Sequence, residues 1–331
     1  MSTPPDLLPL FEVLFDDPVD DIVSDEDTKI NAIADETVNE DIQNAESQSS
    51  NKTVNPTSSP TVYLGTGGYS DTDLLGTLYP TGTKKSDFLH EYAKHYGAVE
   101  INSTFYAPIG QKAFEGMLRK SEGKVRFAVK LHQDFTHVRS GTSEHAAAFI
   151  NALAPIIDAD CLAPLLLQFP HGFERSQTHR LYLAQLVDWF SDYPLAIEFR
   201  HASWHVPQVM DSFRQQGLIW CSVDYPNVQR LPPSRLIFTQ NEQNIGTAGK
   251  RTGYLRMHGN NLQWWDAMAA SDRHDYRYSE EEMQEWAQTI ANQRQHFDEL
   301  YVFFQNSVKA HSYYNIKMLR AALLQLGFRV L

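Results

Sequence analysis

The sequence predicts an α/β fold, a (β/α)8 TIM barrel with an irregular sixth βα unit, preceded by a disordered acidic N-terminal tail. Three observations carry that expectation. From Thr61 onward, eight short apolar, β-rich runs alternate with longer amphipathic stretches. The eight units occupy roughly 270 residues, the length of a single barrel. Each run also turns polar toward its C-terminal end, and that end is where barrel proteins assemble their sites.

The expected strands are VYLGTGGY (62–69), AVEINSTFY (98–106), RFAVKLH (126–132), APLLLQFP (163–170), LAIEFRH (195–201), LIWCSVD (218–224), GYLRMHG (253–259) and ELYVFFQN (299–306). Helical stretches are expected near 86–96, 110–120, 143–157, 177–190, 205–216, 279–296 and 312–325. Ser86, Ser143, Ser176 and Ser279 suit N-caps, and Glu282 stands at capping-box spacing from Ser279. The sixth unit departs from the pattern. Residues 225–252 carry Pro and Gly where a crossover helix belongs, so an irregular excursion is expected there, with a short strand at RLIF.

Charge divides the chain at its tail. Residues 1–50 hold 14 acidic residues and one Lys, which already equals the whole chain's net charge of −13. Residues 51–331 hold 27 acidic and 27 basic residues and are neutral. A neutral body argues against a broad nucleic-acid footprint. Residues 16–60 are acidic, then Ser/Thr/Asn/Pro-rich, and lack aromatics, too little apolar surface to offset chain entropy. The expected domains are therefore a disordered tail, 1–60, and the barrel, 61–331. Within the tail, LLPLFEVLF followed by Asp16 and Asp17 makes residues 5–17 a candidate docking motif for a protein partner, although a solvated extension is the simpler reading. Cys161 and Cys221 lie in apolar runs without CxxC or Cys/His spacing, so buried free thiols are expected. With no basic n-region and no membrane-length apolar run, the expected location is the cytoplasm.

Strand alternation sets the candidate site. In LAIEFRH, Ile197 and Phe199 share one face and Glu198 and Arg200 the other. The first pair is expected to pack against the helices and the second to point to the barrel axis. Similar residues close the other strands: Glu100 and Asn102, Lys130 and His132, Gln168, Asp224, Arg256 and His258, and Asn306. His137 and Trp204 follow strands three and five. Three acids, Glu100, Glu198 and Asp224, balance three cations, Lys130, Arg200 and Arg256. A self-neutralising packing layer would need no clustering at one end, so a ligand site is the favoured reading. Trp204 fits a lid over a ligand and barrel-to-helix packing equally well.

LGTGGY, LYPTG, VEINSTFY, FAVKLHQDFTH, LLLQFP, AIEFRHASW, YLRMHG and YVFFQN occur in an order that resembles the YecE-like family, domain of unknown function 72. The resemblance covers nearly all of residues 62–325 and implies a TIM barrel. It implies no reaction. It adds weight to Glu100, Asn102, Lys130, His137, Gln168, Glu198, Arg200, Arg256, His258 and Asn306 as positions in recurrent motifs. Tyr69 stands where the family usually has Trp, and Leu74 or Leu75 replaces a second Trp.

The expected activity concerns a small polar or anionic ligand, as an enzyme or a binder. Glu100, Glu198, His137 and His258 are the acid/base candidates. Asn102, Lys130, Gln168, Arg200, Trp204, Asp224, Arg256 and Asn306 are the ligand-binding candidates, with the arginines suited to a carboxylate or phosphate. One alternative is a divalent-metal hydrolase or isomerase of the xylose isomerase or endonuclease-four type, disfavoured because three cations share the rim. The other is a non-catalytic module for nucleic acid or protein. No cofactor and no membrane contact is expected.

Overall fold

The computed structural model describes residues 59–247, 249–266 and 270–331. The expected docking motif at 5–17, and all but the last two residues of the expected tail, lie outside the described residues.

Nine strands form one curled parallel sheet: β1 (Thr61–Thr66), β2 (Ala98–Ile101), β3 (Arg126–Lys130), β4 (Leu162–Gln168), β5 (Leu195–Glu198), β6 (Ile219–Asp224), β7 (Thr252–Met257), β8 (Glu299–Phe304) and β9 (Arg329–Val330). Their order is β2-β3-β4-β5-β6-β7-β8-β1-β9. Sequential neighbours pair because each crossover returns the chain beside the strand it left. The main helices are α1 (Phe88–Tyr92), α2 (Gln111–Ser121), α3 (Ser143–Asp158), α4 (Gln177–Trp189), α5 (Pro207–Gln216), α6 (Glu280–Asn292) and α7 (His311–Gln325). None of the described helices is long and apolar enough to cross a membrane.

Two apolar clusters follow from the two-residue period. The outer face of the sheet, including Val99, Val129, Leu167, Ile197, Phe199, Leu255 and Val302, packs with helix residues such as Phe114, Leu183, Met283 and Leu319. The inner face carries small Ala98, Ala128, Ala163 and Ala196 opposite large Tyr63, Tyr254, Tyr301 and Phe303. Small residues on β2–β5 make room for rings from the other side.

The sheet closes in a way the eight-unit pattern did not anticipate. No ladder joins β1 to β2 among the described residues. Instead the C-terminus enters the seam: Leu331 N donates to Val62 O and Leu64 N to Leu331 O, both at 2.9 Å. Above it, the Tyr92 hydroxyl accepts from Thr66 N at 2.9 Å and donates to Ala98 O at 2.8 Å. A Cβ on Gly65 would lie 2.0 Å from Ala98 O, so only glycine lets the two strands approach this closely.

The sixth unit has no helix among its described residues, as expected, but RLIF is not a strand. Side chains replace the ladder there. Ser222 Oγ accepts from Ile237 N, and Thr239 Oγ1 bridges Trp220 N and Leu218 O. Gln240 links Gly217 O to Thr252 N. Capping follows the sequence at Ser176 and at the Ser279–Glu282 box. It departs at α3, where Thr142 rather than Ser143 accepts from His145 N. At α1 no side chain caps the helix, and Ser86 lies within the preceding 3-10 turn.

Candidate functional site

Arg256 organises the C-terminal end of the barrel interior. Its Nε and Nη2 fork onto Glu100 at 3.1 and 2.9 Å, and its Nη1 donates to Glu198 at 2.5 Å. All three side chains are buried, and bidentate geometry offsets the loss of hydration. Glu100 also accepts from Tyr254 OH at 2.7 Å, Asn102 Nδ2 at 2.9 Å and Gln305 Nε2 at 3.0 Å. Glu198 accepts from Tyr225 OH at 2.8 Å and Arg200 Nε at 3.1 Å. Burial pushes the Glu198 carboxyl up, but Arg256 and Arg200 outweigh it and hold it at about 2. Beside this pair the buried Cys221 thiol is pushed up, chiefly by desolvation.

Two cations are left without a carboxylate fork. Arg200 is 24 % exposed and commits only Nε to Glu198. Its terminal nitrogens make no hydrogen bond among the described residues. Lys130 Nζ donates to Gln168 Oε1 at 2.8 Å and lies 4.0 Å above the Phe105 ring. Desolvation, then the positive charges of Arg256 and Arg200, lower its amine to about 7. The other edge of Phe105 meets His137 at 4.8 Å. His137 is held neutral, at about 4, by burial and by Lys130 and Arg200. Gln168 is itself pinned, since its Nε2 donates to Phe169 O at 2.7 Å.

His258 lies on the inner face two residues beyond Arg256, stacked on Tyr225 at 5.6 Å. Its Nδ1 meets His274 Nδ1 at 3.3 Å, while its buried Nε2 has no partner among the described residues. Burial, Arg256 and His274 drive its pKa well down. A rim cleft of about 280 Å³ is lined by His171, Gln229, Arg230 and Trp265. His171 reaches back to His201, beside Arg200, with ring centroids 5.1 Å apart.

The structure therefore brings together Glu100, Asn102, Lys130, Gln168, Glu198, Arg200 and Arg256, with His137 and His258 at the margins. Three expected members stand elsewhere. Asp224 points outward, because Ile219, Cys221, Val223 and Tyr225 occupy the inner face of β6. It accepts from Ser234 at 2.6 Å and Tyr278 at 2.5 Å, and burial raises its pKa. Asn306 also points outward, donating to Tyr276 O and Asn315 Oδ1. Trp204 is fully buried in the helix layer, stacked on Phe199 at 4.3 Å, with its Nε1 donating to Phe173 O. It packs the barrel to its helices and is no lid. In place of Asp224 and Asn306 the hub takes Tyr225 and Gln305, with Tyr254 below. Tyr254 was legible as the i−2 partner of Arg256. The other two were not, because β8 is apolar on both faces and β6 alternates in the opposite sense, with polar Ser222 and Asp224 on its outer face. Among the described residues, no group of three His, Cys, Asp or Glu side chains is arranged to hold a metal ion.

Residues 63–328 match the family described as protein of unknown function DUF72. This chain belongs to the DUF72 family. A DUF72 family protein from Thermotoga maritima matches this DUF72 chain with a TM-score of 0.71 and 33 % identity, covering 80 % of this chain and 99 % of its own. One from Enterococcus faecalis matches with a TM-score of 0.69 at 23 % identity, over 80 % and 95 %, and supports the fold. In sequence, the UPF0759 protein YunF of Bacillus subtilis (strain 168) is 27 % identical over 262 residues, 74 % of this chain and 89 % of YunF.

Proposed function

We propose that this DUF72 protein is a (β/α)8 barrel that binds a small anionic organic molecule at its C-terminal rim and moves protons on it. One observation carries the reading. Arg200, partly exposed, presents its terminal guanidinium nitrogens without any protein partner among the described residues. A guanidinium with two free parallel donors at a solvent-accessible rim suits a carboxylate or phosphate. Lys130 adds a second cation on the same side of the hub.

Glu100 and Glu198 serve in this reading to orient Arg256 and Arg200. Glu198, held at about 2, is a poor base at neutral pH. Proton transfer falls instead to Lys130, whose amine lies near neutrality, with His258 Nε2 as an unpartnered hydrogen-bonding atom. A metal-dependent reaction finds no support, since the fork of Arg256 occupies both carboxylates.

Isothermal titration with pyruvate, malonate and inorganic phosphate tests the reading. At least one of them should bind, and Arg200→Gln should weaken it by about tenfold or more, the loss of a charge-assisted two-donor contact. No binding by any probe, or equal affinity in Arg200→Gln, overturns it.

A further inference from the structure

We infer that Lys130 is an imine-forming lysine, condensing with the carbonyl carbon of a small 2-oxo acid whose carboxylate rests on the terminal nitrogens of Arg200. The inference deepens the anion-binding reading above and rests on it.

The placement of the amine is the starting point. Lysines on the inner face of a parallel barrel normally meet a carboxylate, because an unpaired buried charge is costly. Both nearby acids are already taken, Glu100 by Arg256, Tyr254, Asn102 and Gln305, and Glu198 by Arg256, Arg200 and Tyr225. Among the described residues, Lys130 Nζ is left with one neutral acceptor, Gln168 Oε1, and an aromatic face beneath it. Gln168 is fixed by its bond to Phe169 O, so its oxygen stays turned to the amine. Lys130 and Arg200 both remain partly open to solvent, and they stand close enough for the Arg200 charge to act on the amine. Desolvation and two neighbouring guanidinium groups are the conditions that activate a lysine as a nucleophile. They lower this amine to about 7, which brings the unprotonated form within reach at neutral pH. A lysine serving only to hold an anion would gain nothing from that loss of charge.

The step balances with one proton exchanged with solvent. The neutral Nζ lone pair attacks the carbonyl carbon, forming a C–N bond as the C=O π pair moves to oxygen. A proton passes from nitrogen to that oxygen. The nitrogen lone pair then expels that oxygen, which takes a second proton from solvent (the one Nζ released on becoming neutral) and leaves as water; the nitrogen keeps its remaining hydrogen as a protonated imine. No electrons enter or leave. The iminium N–H takes over the bond to Gln168 Oε1, and the ligand carboxylate balances Arg200.

The test uses the full chain with pyruvate and glyoxylate in the presence of sodium cyanoborohydride, which reduces an imine to a stable secondary amine. Peptide mass spectrometry should place the adduct on Lys130, formed on the order of tenfold faster than at exposed Lys112 and Lys120. Its rate should rise with pH through an inflection near 7. Lactate, which carries the carboxylate without the carbonyl, should slow it, and Lys130→Arg should abolish it. If pyruvate and lactate bind but no adduct forms on Lys130, the imine falls and the anion site stands. If neither binds and only exposed lysines are labelled, both fall. Wild-type labelling decides between these outcomes whether or not the variant folds.

Discussion

Arg256 Nη1 sits 2.5 Å from Glu198 Oε2, with neither group open to solvent, while the other side of the same guanidinium forks onto Glu100. One cation thus joins β2, β5 and β7, strands far apart in sequence. Replacing it leaves two buried carboxylates facing each other. Arg256→Met should cost about 3–5 kcal/mol in urea unfolding, the range for breaking a buried ion pair. Adding Glu100→Gln and Glu198→Gln should recover part of it. A loss below about 1 kcal/mol would mean that the pair contributes no more than an exposed salt bridge.

Glu198 should also make the protein acid-sensitive. Its folded pKa is depressed to about 2 from an ordinary 4.5. Its contribution is complete above 4.5 and is lost as pH falls from there toward 2. Unfolding free energy measured against pH should flatten across this window in Glu198→Gln, and an unchanged slope would contradict the assignment.

A second acid window belongs to histidine. His205 and His274 are held at about 4, each chiefly by burial. Between the ordinary 6.5 and 4 the unfolded chain binds more protons than the folded one, so stability falls as pH falls through that window. Melting temperatures between pH 7 and 5 should drop less steeply in His274→Gln than in wild type.

The Tyr92 hydroxyl bridges part of the seam between β1 and β2. Tyr92→Phe removes a donor to Ala98 O and an acceptor for Thr66 N. It should cost about 1–3 kcal/mol, as for buried polar groups left unpaired. Hydrogen exchange at the Thr66 amide should accelerate with it, and unaltered exchange would mean that β1 and β2 hold together without Tyr92.

Trp204 separates packing from ligand contact. Trp204→Ala should cost about 3–5 kcal/mol, as for a large core truncation, because the ring stacks on Phe199 and Phe173. Anion affinity should stay within about twofold, since a side chain remote from a ligand adds little to its binding. A tenfold loss of affinity in a folded variant would return Trp204 to the ligand site.

Much of this was readable from local pattern. Leu195–Arg200 announced its own phase, because polar Glu198 and Arg200 alternate with apolar Ile197 and Phe199. The same holds for Tyr254, Arg256 and His258. The pattern failed at Asp224, where polar Ser222 and Asp224 alternate with Cys221 and Val223 but face outward, and at Asn306, where Phe303 and Phe304 make both faces of β8 apolar. A parallel strand buried on both sides carries no alternation to read. There the inward residues proved to be Tyr225 and Gln305.

The sequence by itself determined the eight alternating units, the irregular sixth connection and the gathering of polar residues at the strand ends, because each depends on neighbours a few positions apart. Only the tertiary structure decided which charges meet. Arg256 and Glu100 stand 156 residues apart, and their fork exists because the sheet curls until β2 and β7 face each other across the barrel. The same curl leaves Lys130 without a carboxylate partner among the described residues and lets Leu331 and Tyr92 close the seam. These relations depend on strand register and closure, which local periodicity does not encode.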